Sequence, residues 1–516
     1  MLGVTSQTMR AWEKAGKVWI VENGVRLPNP LIDISPEVGD WRDHGCLGFA
    51  LDPNFLTNGY IYLLYAVDRH HLMNFGTGSY NANTNEYFSA TIMRLTRYTA
   101  VGPTFNTVNT GSRLVLLGES PSTGVPLLHE SHSTGTIMFG TDGTLLVSLG
   151  DGASYSSTDV GSASETYWQQ ALTDGIIRPA ENVGAFRSQM VNSFNGKILR
   201  LDPATGNGLP SNPFWNAAQP RSPQSRTWAL GLRNPYRCTL RPGSGSTDPA
   251  AGDPGTIYIG DVQWNTWEDM NVCYEGGMNF GWPLFEGMTP LNSYMNTLTY
   301  NMDVPNPLYD GINCTLPYLR FQDLCKQDTP IHLNGHPNPC NSGVQIPNTI
   351  HKFYHARPAI DWRHGQNWAR TATFNGSTAT ATDLNDPNSP VPGPMFGGYA
   401  SIGGTWISGT GWPAGYQNVY FHADYPGAWI KRFVFNGQDQ PLSAHDFGAS
   451  LGAVVWVGEG PEGCLYYSNY ATNEIRRICY TLAVNLPPVA VASQNVQYGP
   501  GPLNVQFTGS ASYDPE

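Results

Sequence analysis

Short apolar runs broken by Gly, Pro, Asn or Asp recur along the chain. The stretch "HESHSTGTIMFGTDGTLLVSLGDG", His129 to Gly152, shows the unit: a strand-like run, a Thr-Asp-Gly turn and a second strand-like run. "DHGCLGFALDPNFLTNGYIYLLYAVD" repeats it, as does "GLRNPYRCTLRPGSG" continuing to "GTIYIGD". Two further copies are "GGTWISGTGWPAGYQNVYFHAD" and "LGAVVWVGEGPEGCLYYSNY". "NGKILRLDPATGNG" and "KVWIVENGVRL" read as outer hairpins between them. Every copy is an antiparallel pair with its polar residues at one end. Radial repetition of such small sheets predicts an all-β chain built as a β-propeller, with a stack of sandwiches as the competing arrangement.

In an antiparallel hairpin, the residue before the first strand and the residue after the second lie at the same end. His132 is therefore expected beside Asp151, Arg233 beside Asp261 and Asp43 beside Asp68, all at one mouth. From about Asn485 the pattern changes. "NLPPVAVASQNVQYGPGPLNVQFTGSASYDPE" opens on a Pro-Pro linker and continues with two alternating strands. The reading is a propeller over 1–483 and a linker with a second segment over 484–516. That segment resembles the start of a polycystic-kidney-disease (PKD) domain, an immunoglobulin-like sandwich. It is too short to complete one of about 100 residues, so poor packing is expected.

Composition supports strands and turns. Charged residues are 13% of the 516, against an ordinary share of about 25%. The net charge is −12 without a Lys/Arg cluster, which argues against nucleic acid or an anionic membrane as partner. No apolar run is long enough to span a bilayer. No signal peptide is visible, and the chain reads as starting inside a domain. None of the eight cysteines has CxxC spacing, so zinc is not expected. Cys464 and Cys479 stand opposite each other in a hairpin, and Cys325–Cys340 is a reasonable second bridge. This favours an oxidising compartment: secreted, periplasmic or cell-surface.

A histidine beside a carboxylate is a general-base arrangement, and also an ordinary hairpin cap. "GLRNP" sets a fixed cation, Arg233, and an amide, Asn234, at a strand entrance, which suits an anionic or carbonyl-bearing ligand. "GDVQWNTWEDMN" clusters the oxygens of Asp261, Gln263, Asn265, Glu268 and Asp269, which suits a hard cation or simply a solvated turn.

"DHGCLGFALDPNF", "HSTGTIMFGTDGTLLVSLGDG", "NGKILRLDPATG", "GLRNPYR", "GDVQWNTWEDMN" and "GGMNFGWPLFEG" follow one another in order. Together, over about residues 10 to 480, they resemble the soluble glucose/sorbosone dehydrogenase family. The resemblance implies a six-bladed propeller carrying pyrroloquinoline quinone (PQQ) and Ca²⁺, oxidising an aldose or related sugar alcohol for an external electron acceptor. It implies His132 as base, Asp151 as its support and Arg233 as the group that polarises the quinone oxygen. Asn234 becomes a polar neighbour in the cofactor pocket, and the Gln263 and Trp264 carbonyls become Ca²⁺ ligands. The family's late lysine falls on Tyr425, its arginine pair on Ala453 and Val455, and an early glutamine on Asp43. Lys431, Arg432, Arg363, His364 and Arg370 are candidate substitute cations, with ordinary surface or cation–π packing as the alternative for each. The competing function is a non-catalytic propeller that binds carbohydrate or protein, as in hedgehog-interacting-type proteins.

Overall fold

The computed structural model describes residues 8–133, 135–327, 329–330, 335–409, 411–481, 489–495 and 506–513. The five hairpin copies become five inner strand pairs, each antiparallel: Cys46–Leu51 with Tyr60–Ala66, Ile137–Phe139 with Leu145–Leu149, Pro235–Leu240 with Ile257–Asp261, Ser401–Ile407 with Val419–Asp424, and Val454–Glu459 with Leu465–Asn469. The leading strands of all five pairs line one narrow channel, joined by Trp12 of the strand Thr8–Trp12. The chain is thus an all-β propeller of five blades.

The expected six blades are corrected to five. The hairpin repeat in the sequence has five members, and only the family resemblance supplied a sixth. "KVWIVENGVRL" forms part of a separate N-terminal sheet over Thr8–Asp33. The fifth blade has three strands, ending with Glu474–Ile478.

The core lies between successive sheets. Leu64, Leu95, Val147 and Leu199 pack the first blade on the second, and Leu146, Ile198, Ile257 and Ile259 the second on the third. Tyr258, Trp362, Trp406 and Tyr420 fill the next interface, and Phe421, Ile430, Val457 and Leu465 the last. Near the axis the strands approach so closely that side chains have no room. A Cβ on Gly403 would sit 2.2 Å from the Arg237 carbonyl, and one on Gly404 1.6 Å from the Phe421 carbonyl. That explains glycine inside strands that it otherwise weakens.

Cys314 pairs with Cys340, not Cys325 with Cys340. Cys325 instead starts a short strand beside Phe353, and its buried thiol is pushed up to about 12 by desolvation. Cys464 and Cys479 are both disulfide-bonded. Cys340→Ser opens a loop with a sequence separation of 26. It is expected to cost about 2–4 kcal/mol, read by chemical denaturation; an unchanged midpoint would show the bridge to be neutral.

The chain divides into two compact units, Met1–Ile478 and Cys479–Glu516. In the second, Ser493–Gln494 pairs with Phe507–Thr508 and Val489 bridges Tyr513. One ladder of this kind is not a sandwich. The Pro-Pro linker and the expected boundary at 483/484 lie outside the described residues.

Candidate active site

His132 lies on the approach to the second blade and Asp151 on its exit. His132 Nδ1 is 2.7 Å from Asp151 Oδ1, and both side chains are buried. Asp151 is tied from two further directions. Its Oδ1 accepts from the Ala153 amide at 2.9 Å, and its Oδ2 accepts from Trp282 Nε1 at 2.8 Å. With one carboxylate oxygen held on each side, Nδ1 carries the proton toward Asp151 and Nε2 keeps its lone pair. Among the described residues Nε2 has no hydrogen-bond partner. His132 sits at φ +57°, in the left-handed region that is uncommon for a residue with a side chain.

Burial and the nearby Arg233 charge lower the His132 pKa, against the pull of Asp151. Burial acts to raise the Asp151 carboxyl, but His132 and Arg233 hold it below the usual range. Both directions describe a neutral imidazole beside an ionised carboxylate.

Arg233 and Asp261 do meet, through the backbone. Asp261 Oδ2 accepts from the Arg233 amide at 3.0 Å and its Oδ1 from the Asn234 amide at 2.6 Å. This leaves the guanidinium to reach the 262–263 turn, where Nη1 donates to the Val262 and Gln263 carbonyls at 2.9 and 2.7 Å. The group lies 5.3 Å from the Trp282 ring centroid, and among the described residues its Nε has no partner. Asn234 Oδ1 and Gln263 Oε1 are likewise buried without partners among the described residues. These orphaned polar atoms, with His132 Nε2, fit a polar ligand such as the quinone.

The Ca²⁺ assignment rests on backbone oxygens. The Gln263 carbonyl already accepts from the Arg233 cation. The Trp264 amide is held by Glu286 at 3.2 Å and its indole by the Tyr155 carbonyl at 2.7 Å. Among the described residues no three His, Cys, Asp or Glu side chains converge on a metal position. The oxygens of the turn are used internally: Gln263 Nε2 bridges Asp261 and Asp269 at 3.0 and 2.9 Å. Burial pushes the Asp261 carboxyl up to about 7 and that of Asp269 well above the carboxylate range. A carbonyl oxygen carries two lone pairs, so the Arg233 contact leaves the Gln263 carbonyl able to meet a cation, and the Gln263 and Trp264 carbonyls are the groups that would hold Ca²⁺.

Asp43 joins the site, because the Ser133 hydroxyl donates to its carbonyl at 2.9 Å. The residue is exposed, and partial desolvation of its carboxyl acts to raise it. Asp68 instead caps the short helix Arg69–Asn74. Tyr425 packs half-buried in the apolar cluster between the fourth and fifth blades. Lys431 is not brought to the mouth: it stands on the third strand of its blade, paired with Asp446 and facing Phe396. Arg432 faces Tyr416, Arg363 lies over Trp267, His364 bonds Glu268 and Arg370 pairs with Asp361. Trp282 was missed from sequence. Its motif "FGWP" was visible, but nothing local shows that its indole reaches Asp151.

A propeller whose axial mouth holds a carboxylate-supported histidine beside an arginine bonded to backbone carbonyls defines a class of proteins. The glucose/sorbosone dehydrogenase family model matches residues 2–313, and the chain belongs to that family. It is 25% identical over 333 residues to the HIPL2 protein of Arabidopsis thaliana, covering 57% of this chain and 42% of that one. It is 23% identical over 301 residues to quinoprotein glucose dehydrogenase B of Acinetobacter calcoaceticus, covering 55% and 51%. The chain thus spans about half or less of the length of these curated relatives. A glucose dehydrogenase crystal structure shares the fold, with TM-score 0.53, 16% identity and coverage of 93% and 95%. No described helix is long and apolar enough to cross a membrane.

Proposed function

We propose that this protein is a PQQ-dependent sugar dehydrogenase that oxidises an aldose or related sugar alcohol and passes electrons to an external acceptor. The observation that carries the reading is the buried His132–Asp151 pair, with Nε2 free of partners among the described residues and Arg233 alongside. When bound, the quinone supplies the two-electron acceptor. His132 Nε2 takes the proton of the substrate hydroxyl as the carbon–hydrogen bond gives up its hydride and the carbonyl forms. Asp151 stabilises the resulting imidazolium, and Arg233 with Asn234 holds polar atoms of the cofactor and offsets charge that develops there. No step here depends on calcium. The disulfide Cys314–Cys340 supports a secreted, periplasmic or cell-surface location. The segment 484–516 is read as PKD-like from its sequence pattern.

The test is reconstitution with PQQ, with and without Ca²⁺, followed by dye reduction with a panel of aldoses. Aldose-dependent reduction is the expected result; folded protein that neither binds PQQ nor reduces dye would overturn the reading. The second reading, a binding propeller, is favoured by the absence of cations at Tyr425, Ala453 and Val455. Sugar binding without PQQ binding would establish it.

A further inference from the structure

Apolar clusters fill the interfaces between successive blades, but the fifth blade and the N-terminal sheet enclose a cavity of about 650 Å³. Its walls include the rings of Trp12, Tyr236 and Trp456 and the cations Lys14 and Arg237. Cys46, Tyr236 and Val455, which also line it, are each the first or second residue of a leading strand, so the cavity reaches toward the mouth end.

Arg237 is the informative group. Its Nη1 donates to the Leu47 and Gly135 carbonyls at 2.8 and 3.3 Å, and its guanidinium lies 4.6 Å from the Tyr236 ring centroid. Among the described residues no carboxylate pairs with it. Lys14 donates to the Arg42 carbonyl and lies 3.2 Å from Asp40. Its charge also acts on Asp43, together with that of Arg233. Gly45 lies against the Lys14 side chain, where a Cβ would meet Lys14 Cγ at 2.4 Å. The two carboxylates in the walls are engaged elsewhere. Glu13 accepts from Trp19 at 2.7 Å and Glu474 from Arg476 at 2.6 Å. A half-buried cation without a counter-ion, set among aromatic faces, is complementary to a planar aromatic carboxylate.

We propose that this cavity holds the carboxylated edge of a planar aromatic anion, with Arg237 and Lys14 as its anchors. The proposal rests on the quinone reading only in placing the reactive end of the same ligand toward His132. It means that positive charge absent from the fourth and fifth blades is supplied by the third blade and the N-terminal sheet.

The experiment titrates PQQ, and separately benzene-1,3,5-tricarboxylate, into the full chain and follows quenching of tryptophan fluorescence. Arg237→Gln and Lys14→Gln are expected to weaken both probes roughly tenfold or more, while Arg237→Lys retains most of the affinity. Thermal melting shows that each variant is folded, and the Lys14 variant tests the site should Arg237→Gln unfold. Unchanged affinity in folded variants overturns the proposal and leaves the quinone reading standing. Arg237-dependent binding of both probes without aldose oxidation supports the proposal and sinks that reading. Failure of both probes to bind the wild-type chain overturns the proposal.

Discussion

His132→Asn is expected to lower the turnover of the reconstituted protein by about 10²–10⁴-fold, the usual contribution of a positioned general base. Asparagine is the discriminating choice for two reasons. Its side-chain amide can still donate toward Asp151, as Nδ1 does, and it tolerates the positive φ at this position. Folding and the Asp151 contacts are thereby preserved while the lone pair of Nε2 is removed. PQQ affinity should stay near that of the wild type. Single-turnover kinetics separate the two effects, and a variant with near-normal hydride transfer would remove His132 from the chemistry.

Asp151→Asn is expected to be as damaging, by a different route. The carboxylate accepts from His132, Ala153 and Trp282, and all three are donors. An amide offers only one acceptor oxygen. Its NH₂ must face either the indole N–H or the imidazole, so a donor meets a donor or the histidine is driven into the wrong tautomer. The same carboxylate-to-amide change in a serine-protease triad reduces turnover about 10⁴-fold. The pH profile carries the mechanistic reading. The base is active when neutral, so the rate rises as pH increases through the His132 pKa, which burial sets below the ordinary value of about 6.5. Removing the Asp151 charge removes a contribution that raises this pKa. The acid limb should therefore move to still lower pH while the plateau falls. A lower plateau with an unmoved limb would indicate that Asp151 only holds the local backbone.

Much of this was legible locally. The period-2 runs and Gly-rich turns marked the five inner hairpins, and antiparallel geometry alone brought His132 to Asp151. Those features depend on neighbours along a strand and across one turn. The blade count was misjudged where resemblance was allowed to outrun the repeat. The Cys325–Cys340 bridge failed because Cys325 belongs to a strand packed on Phe353, a partner that spacing does not reveal. Lys431 stands on the third strand of its blade, where Asp446 pairs with it, a placement that spacing along the chain does not show.

The sequence by itself determined the hairpins, their polar ends and the pairing of a histidine with a carboxylate, because short-range periodicity and turn chemistry decide these. Only the tertiary structure decided that Trp282 holds the second oxygen of Asp151 and that Asp261 takes the backbone of Arg233, freeing its guanidinium. It also decided that Arg237 and Lys14 face one cavity. Those contacts join residues far apart in the chain, and they arise from how the sheets pack around the axis, which no local pattern encodes.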